Sequence, residues 1–211
     1  MSASKTYHHG NLRQALIDTA IETIAEKGVN SLSLREVARR VGVSHSASYR
    51  HFADKEALLA AVAEEGFLGL TQALTTALQN RLETTADCSL ERLQASGIAY
   101  VKYAFDRPEY YRVMFGSGAI DRSRYPSLQN ASQQAFQVLV DLVIAGQNAE
   151  KIRPGDPVKL AWVAWSLVHG LAMLAIDGQL PISETHEIES IARFTTQTLS
   201  EGLSNLLTKK V

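Results

Sequence analysis

Between Ser33 and Lys55 the chain gathers hydroxyls, imidazoles and cations at spacings suited to gripping a polyanion and reading the edges of its bases. Leu34, Val37, Ala38 and Val41 fall at i, i+3, i+4 and i+7, so a short helix over them turns one apolar stripe inward. Arg35, Arg39 and Arg40 are then left outward or flanking. Val41-Gly42-Val43-Ser44 reads as a tight connection in which Gly42 takes a positive φ, Val43 is buried and Ser44 caps the next helix. That next helix, His45–His51, has little to pack beyond Ala47, so Ser46, Ser48, Tyr49, Arg50 and both histidines are expected to face outward. A short helix of this kind enters the major groove of a duplex. His45 and Ser46 are assigned to base edges, and Tyr49, His51 and Lys55 to backbone phosphates, while Ser33 and Arg35 clamp phosphate from the preceding helix. With Ser44, Ser48 and Arg50 these form the candidate DNA-binding set.

The elements that must hold these groups are all helical. Strand alternation is not visible, and the periodicity predicts helices over Leu12–Glu26, Leu34–Val41, His45–His51, Lys55–Leu82, Leu90–Phe105, Pro108–Met114, Ser127–Gly146, Pro157–Ile176 and Glu184–Leu207. Ser33 followed by Glu36 forms a capping box, and Asp106-Arg107-Pro108 and Asp156-Pro157 place a cap before a first-turn proline. Gly28, Gly42, Gly146 and Gly178 stand where helices should stop. Flexible pieces are expected at Met1–Lys5, Thr84–Asp87 and Gly116–Arg124. The fold class expected is all-α: an N-terminal three-helix domain with the helix-turn-helix at 1–54, and a larger helical bundle for ligand binding and dimerisation at 55–211.

Charge follows the same division. The chain has 211 residues and a net charge of -1, but residues 1–55 carry eight Lys/Arg against five acids, net +3, which leaves -4 for the rest. A basic head on an acidic body suits a polyanionic partner. The single Cys88 forms no internal disulfide and no zinc set of finger spacing, so a reducing, cytoplasmic location is expected. Met1–Asn11 has no signal-peptide pattern, and the nearly uncharged run Leu160–Ile176, which holds His169, is read as a buried helix rather than a membrane span.

The run from Leu34 to Ser44, followed by Tyr49-Arg50-His51-Phe52-Ala53-Asp54-Lys55-Glu56-Ala57-Leu58-Leu59, resembles the N-terminal DNA-binding domain of TetR-family transcriptional regulators over about residues 11–60. The resemblance implies a homodimer that binds a near-palindromic operator and releases it when a small ligand enters the helical body. Where the family often has Gly-Thr-Leu before the tyrosine, this chain has Ser46-Ala47-Ser48, a departure that bears on base specificity. Trp165-Ser166-Leu167-Val168-His169-Gly170 is similar to the Trp…His-Gly signature of one group of TetR C-terminal domains. Tyr7-His8-His9-Gly10-Asn11-Leu12-Arg13 is an opening common in that group.

In the body, Pro157–Ile176 is apolar on two sides. Leu160, Val163, Ala164, Leu167, Leu171 and Leu174 form one stripe, and Trp162, Trp165, Ser166, His169, Met173 and Ile176 another. One face packs on its own domain; the other needs a second subunit or a ligand. A further stripe runs from Ile188 to Leu206, so the last two helices are the expected dimer contact. The candidate ligand-binding residues are Tyr100, Tyr103, Tyr110, Met114, Phe136, Trp162, Trp165, His169 and Met173, with Phe105 nearby in sequence, which fit an apolar or aromatic effector. Three roles are open to His169: a neutral core residue, a ligand hydrogen-bond partner or an inter-subunit contact.

No enzyme is expected. Gly-x-Ser-x-Gly, Walker, His-Glu-x-x-His and Cys-x-x-Cys patterns are missing, no cofactor or metal is expected, and adjacent His8 and His9 have no acids or cysteines beside them. The alternative is an all-helical small-molecule binding or catalytic protein without specific DNA binding. A regulator that works through a protein partner and has no ligand is a third reading.

Overall fold

The computed structural model describes residues 12–79, 89–116, 120–182 and 184–203. These form nine α-helices: α1 Leu12–Lys27, α2 Leu34–Val41, α3 His45–Tyr49, α4 Lys55–Gln79, α5 Ser89–Asp106, α6 Pro108–Phe115, α7 Pro126–Asn148, α8 Pro157–Ile176 and α9 Thr185–Leu203. Short 3-10 turns lie at Val29–Ser31 and Arg122–Arg124, and no β-strand occurs among the described residues, as the expected all-α class requires. The expected helices all appear, with ends that coincide or shift by one or two residues where both can be compared. Met1–Lys5, Thr84–Asp87, Cys88, His8 and His9 lie outside the described residues.

Two compact units emerge, Met1–Gly66 with Glu109–Gln129, and Phe67–Pro108 with Asn130–Val211. The first turns of α4 and the α6–α7 stretch group with the N-terminal unit by packing. In that unit α1 packs on α2 and α3. Leu16, Ile17, Ala20, Val37, Leu58 and Val62 are sealed from solvent, and the Arg13 guanidinium lies 5.5 Å over the Phe52 ring. The second unit buries Leu93, Val143, Ile152, Leu160, Ala161 and Leu203 in one cluster, with α5 packed on α8 and α9. Close approach there requires a glycine: a Cβ on Gly97 would stand 2.5 Å from Thr196 Cγ2.

On α8 the two apolar faces expected from the sequence both exist, but residues distribute differently between them. Leu160, Ala161, Ala164, Val168, Leu171, Ala172 and Ala175 are buried, with Trp165, His169, Met173 and Ile176 half-buried beside them. Val163, Leu167 and Leu174, which share one stripe with Leu160 in the sequence, are exposed. Trp162 is 52% exposed and Val163 54%, and on α9 Phe194 is 67% exposed. An apolar wall of this extent is uncommon on a protein surface unless something covers it. Two described helices, α4 and α8, are long and apolar enough to cross a membrane by length and composition. In the most apolar 18-residue stretch of α4, 56% is buried inside the protein.

Candidate nucleic-acid interface

Both ends of α2 and the start of α3 are capped, so the turn between the two helices is bounded by a cap on each side. Ser33 Oγ accepts from Glu36 N at 3.2 Å and starts α2. At the other end Gly42 adopts φ 81°, ψ 26°, a left-handed conformation that few other residues tolerate. Val43 N then donates to Ala38 O at 3.0 Å, and Ser44 Oγ starts α3 by accepting from Ala47 N at 3.2 Å.

Only half of the expected capping box forms. The Glu36 carboxylate does not turn back to the cap; it accepts from Arg39 Nε at 2.9 Å and Arg39 Nη2 at 2.8 Å, and lies 3.4 Å from Arg40 Nε and 3.8 Å from Lys27 Nζ. Arg40 also pairs with Glu26 at the end of α1, so the charges tie α1 to α2. The bonds from Arg39, followed by Arg40 and Lys27, hold the Glu36 carboxyl down at about 2 from its ordinary 4.5. Because the folded-state value is the lower one, this stabilisation is complete above the unfolded value and is lost as pH falls from about 4.5 towards 2. Thermal melts of wild type and Glu36→Gln across that range should therefore converge as the pH drops; a constant gap would remove Glu36 from the stabilising network.

The single-turn helix α3 presents His45, Ser46 and Tyr49 to solvent, with Arg50 and His51 exposed just beyond it. Tyr49 is 47% exposed. His45 meets Tyr49 edge to face with ring centroids 4.6 Å apart, which fixes the imidazole on the outer side of the helix. Ser46 Oγ lies 3.0 Å from Ser44 Oγ. Ser48 is the exception to the expected set. Its side chain is fully buried and its hydroxyl donates to His45 O at 2.8 Å, so it is an inward, packing residue and not a DNA contact. Val43 and Ala47, expected to provide the packing, are only half-buried. Ser33 and Arg35 are exposed at the start of α2. Asp54 Oδ1 caps α4 by accepting from Ala57 N at 2.8 Å, and Lys55 Nζ donates to Asn30 O at 3.1 Å. An ammonium has three donors, so that bond leaves Lys55 able to meet a phosphate.

The candidate ligand-binding residues do not form one described group. In the second unit, Trp165 Nε1 donates to Tyr100 Oη at 2.9 Å, Tyr100 Oη lies 3.0 Å from His169 Nδ1, and the Phe136 ring is 5.9 Å from that of Trp165. Burial pushes the His169 pKa below its ordinary value, which favours the neutral ring. Tyr103 occupies a notch at Gly69, where a Cβ would stand 2.8 Å from its hydroxyl, and Met173 is half-buried one turn beyond His169. Tyr110 and Met114 belong to the first unit, where a Cβ on Gly66 would stand 2.6 Å from Met114 Sδ. Trp162, expected among the ligand-binding residues, is exposed on the outer side of α8, whereas Trp165 and His169 are half-buried. Among the described residues no group of three or more His, Cys, Asp or Glu side chains is placed to hold a metal ion.

A capped helix-turn-helix with an exposed polar second helix, in a chain otherwise built as a helical body, defines a class: all-helical proteins that carry a nucleic-acid-binding motif. Comparison with known proteins narrows it. Residues 16–62 match the family described as "Bacterial regulatory proteins, tetR family", and residues 93–199 match "Tetracyclin repressor-like, C-terminal domain". A solved structure of a protein with unknown function from Rhodococcus sp. RHA1 is 36% identical with a TM-score of 0.78, covering 96% of this chain and 100% of that one. The HTH-type transcriptional regulator BetI of Cronobacter sakazakii is 28% identical over 203 residues, 91% of each chain. An uncharacterized HTH-type transcriptional regulator of Haemophilus influenzae is 37% identical over 78 residues, a match spanning 36% of this chain and 38% of that protein's length. The chain belongs to the TetR family, whose members are DNA-binding transcriptional regulators that act as dimers and are not enzymes.

Proposed function

We propose that the protein is a cytoplasmic repressor that binds a near-palindromic operator as a homodimer formed through α8 and α9, and is released by a small apolar or aromatic effector. The observation that carries this reading is the exposure of His45, Ser46 and Tyr49 on a helix whose entry turn is fixed at both ends. In it, α3 lies in the major groove with His45 and Ser46 at base edges. Ser33, Arg35, Ser44, Tyr49, Arg50, His51 and Lys55 hold phosphates on either side. Residues 1–54 serve as the DNA-binding domain and residues 55–211 as the ligand-binding and dimerisation domain.

For the effector, the support is the Tyr100, Phe136, Trp165 and His169 group, which is mostly apolar with a short run of polar atoms at its centre. To act as a switch, the effector must bind the subunit spacing that does not fit DNA more tightly than the one that does. Selection from a random duplex pool by the full-length protein, followed by sequencing, tests the reading. Recovery of one palindromic motif supports it; a folded dimer that enriches no motif overturns it.

Lys55→Ala is expected to weaken binding to all duplexes and to flatten the dependence of log affinity on log salt by about one unit, the signature of one lost phosphate contact. Titrations at several salt concentrations read this directly, and an unchanged slope would take Lys55 out of the interface.

A further inference from the structure

Of the stretch Gly116–Arg124, expected to be flexible, residues 117–119 lie outside the described residues; after them Asp121–Ser127 forms a strap hydrogen-bonded along α4. Asp121 Oδ1 accepts from Ser123 N at 3.1 Å and from the Ser123 hydroxyl at 2.7 Å, which closes the short 3-10 turn. Glu56, in the first turn of α4, then receives two donors from this turn. Asp121 N donates to Oε1 at 3.0 Å and Arg124 Nη1 to Oε2 at 2.9 Å. Farther along, the Ser127 hydroxyl donates to Glu64 Oε2 at 2.9 Å, and Arg122 donates to Met114 O at the end of α6. Positions 56 and 64 lie eight residues apart on one side of α4, so the strap holds that helix over two turns.

Resting on the DNA-binding reading above, we propose that Asp121 and Arg124 are positioning residues for DNA binding: through Glu56 they fix the first turn of α4. That turn starts at the Asp54 cap and carries Lys55, the proposed phosphate contact, which is itself tied to Asn30 O at 3.1 Å. Glu56 is adjacent in sequence to Lys55, so a carboxylate without its two donors leaves the phosphate-gripping end of the helix with one anchor fewer. Matters differ from a simple surface ion pair because a backbone N–H shares the carboxylate, which makes the geometry more specific than two side chains alone. The strap also leads directly into α7, which continues into the second unit, so the chain that grips the DNA-binding unit is the same chain that builds the helical body.

Charge and position make opposite demands on the same two substitutions, and the test uses that. Removing Glu56 charge by Glu56→Gln should strengthen attraction to DNA if only net charge matters, while Arg124→Gln should weaken it. A positioning role instead lowers affinity in both. The full-length wild type, both single variants, the double variant and Arg124→Lys are titrated against the duplex that wild type enriches from a random pool, well below their melting temperatures. Each Gln variant is expected to lose about threefold to tenfold, the double variant no more than the weaker single, and Arg124→Lys to stay within about twofold of wild type. Affinities that shift in opposite directions, or do not shift, overturn the proposal alone. A folded wild type that enriches no duplex overturns the DNA-binding reading and this proposal together.

Discussion

Replacing Leu167 and Leu174 by glutamate is expected to leave a folded monomer that has lost operator binding by more than about 100-fold. Both leucines are exposed on the outer wall of α8, so glutamate meets water in the monomer and costs the fold little. In the dimer proposed through α8 and α9 the same wall is covered, and the two substitutions remove four leucines from it. Leu167 is 40% and Leu174 47% exposed, so association covers only about half of each side chain; at about 1.5–3 kcal/mol for a full leucine burial, roughly 3–6 kcal/mol of association energy disappears before the cost of burying four carboxylates is counted. Together these losses shift the equilibrium strongly towards monomer. Operator affinity falls with it, since two recognition helices no longer arrive tethered at half-sites one turn or a multiple apart. Sedimentation and DNA titration of the same samples check both parts; a double variant that stays dimeric would place the interface elsewhere.

The second large effect contrasts two serines two residues apart. Ser48→Arg is expected to unfold the N-terminal unit, because its side chain is fully buried and an unpaired guanidinium there costs at least about 3–5 kcal/mol, a large part of a domain's stability. Ser46→Arg should fold normally and bind nonspecific duplex more tightly, with the salt slope steeper by about one unit, since an exposed cation is added beside the phosphates. If both serines faced DNA, both substitutions would increase nonspecific affinity. Thermal melts followed by circular dichroism, run beside the DNA titrations, separate these outcomes.

Local elements were legible where a cap or a period marked them. Ser33 with Glu36, Gly42, Ser44 and Asp156-Pro157 each mark the end of a helix that the structure places there, because these signals act within a few residues. Ser48 was misplaced because a hydroxyl reads as polar even when it is satisfied by the carbonyl three residues earlier. A signal was available: the Gly-Thr-Leu usual in the family puts leucine at this position, which marks it as inward. On α8 the periodicity disclosed two apolar sides but not which side met the chain's own core, since a face covered by a partner has the same composition as one covered internally. Trp162 therefore reads like a ligand-facing residue in the sequence although it is exposed. The strap was out of reach altogether, because Glu56 and Arg124 are 68 residues apart and their pairing depends on how the α6–α7 stretch packs.

The segment from Ser33 to Lys55 acting in two successive major grooves is tested most directly by methylation interference on the selected duplex, since methyl groups at guanine N7 block that groove. Two clusters of interference are expected, related by two-fold symmetry and centred one helical turn or a multiple apart, with the pattern altered at one base position per half-site in Ser46→Ala. A single cluster, interference confined to the minor groove, or a pattern indifferent to Ser46→Ala would contradict it.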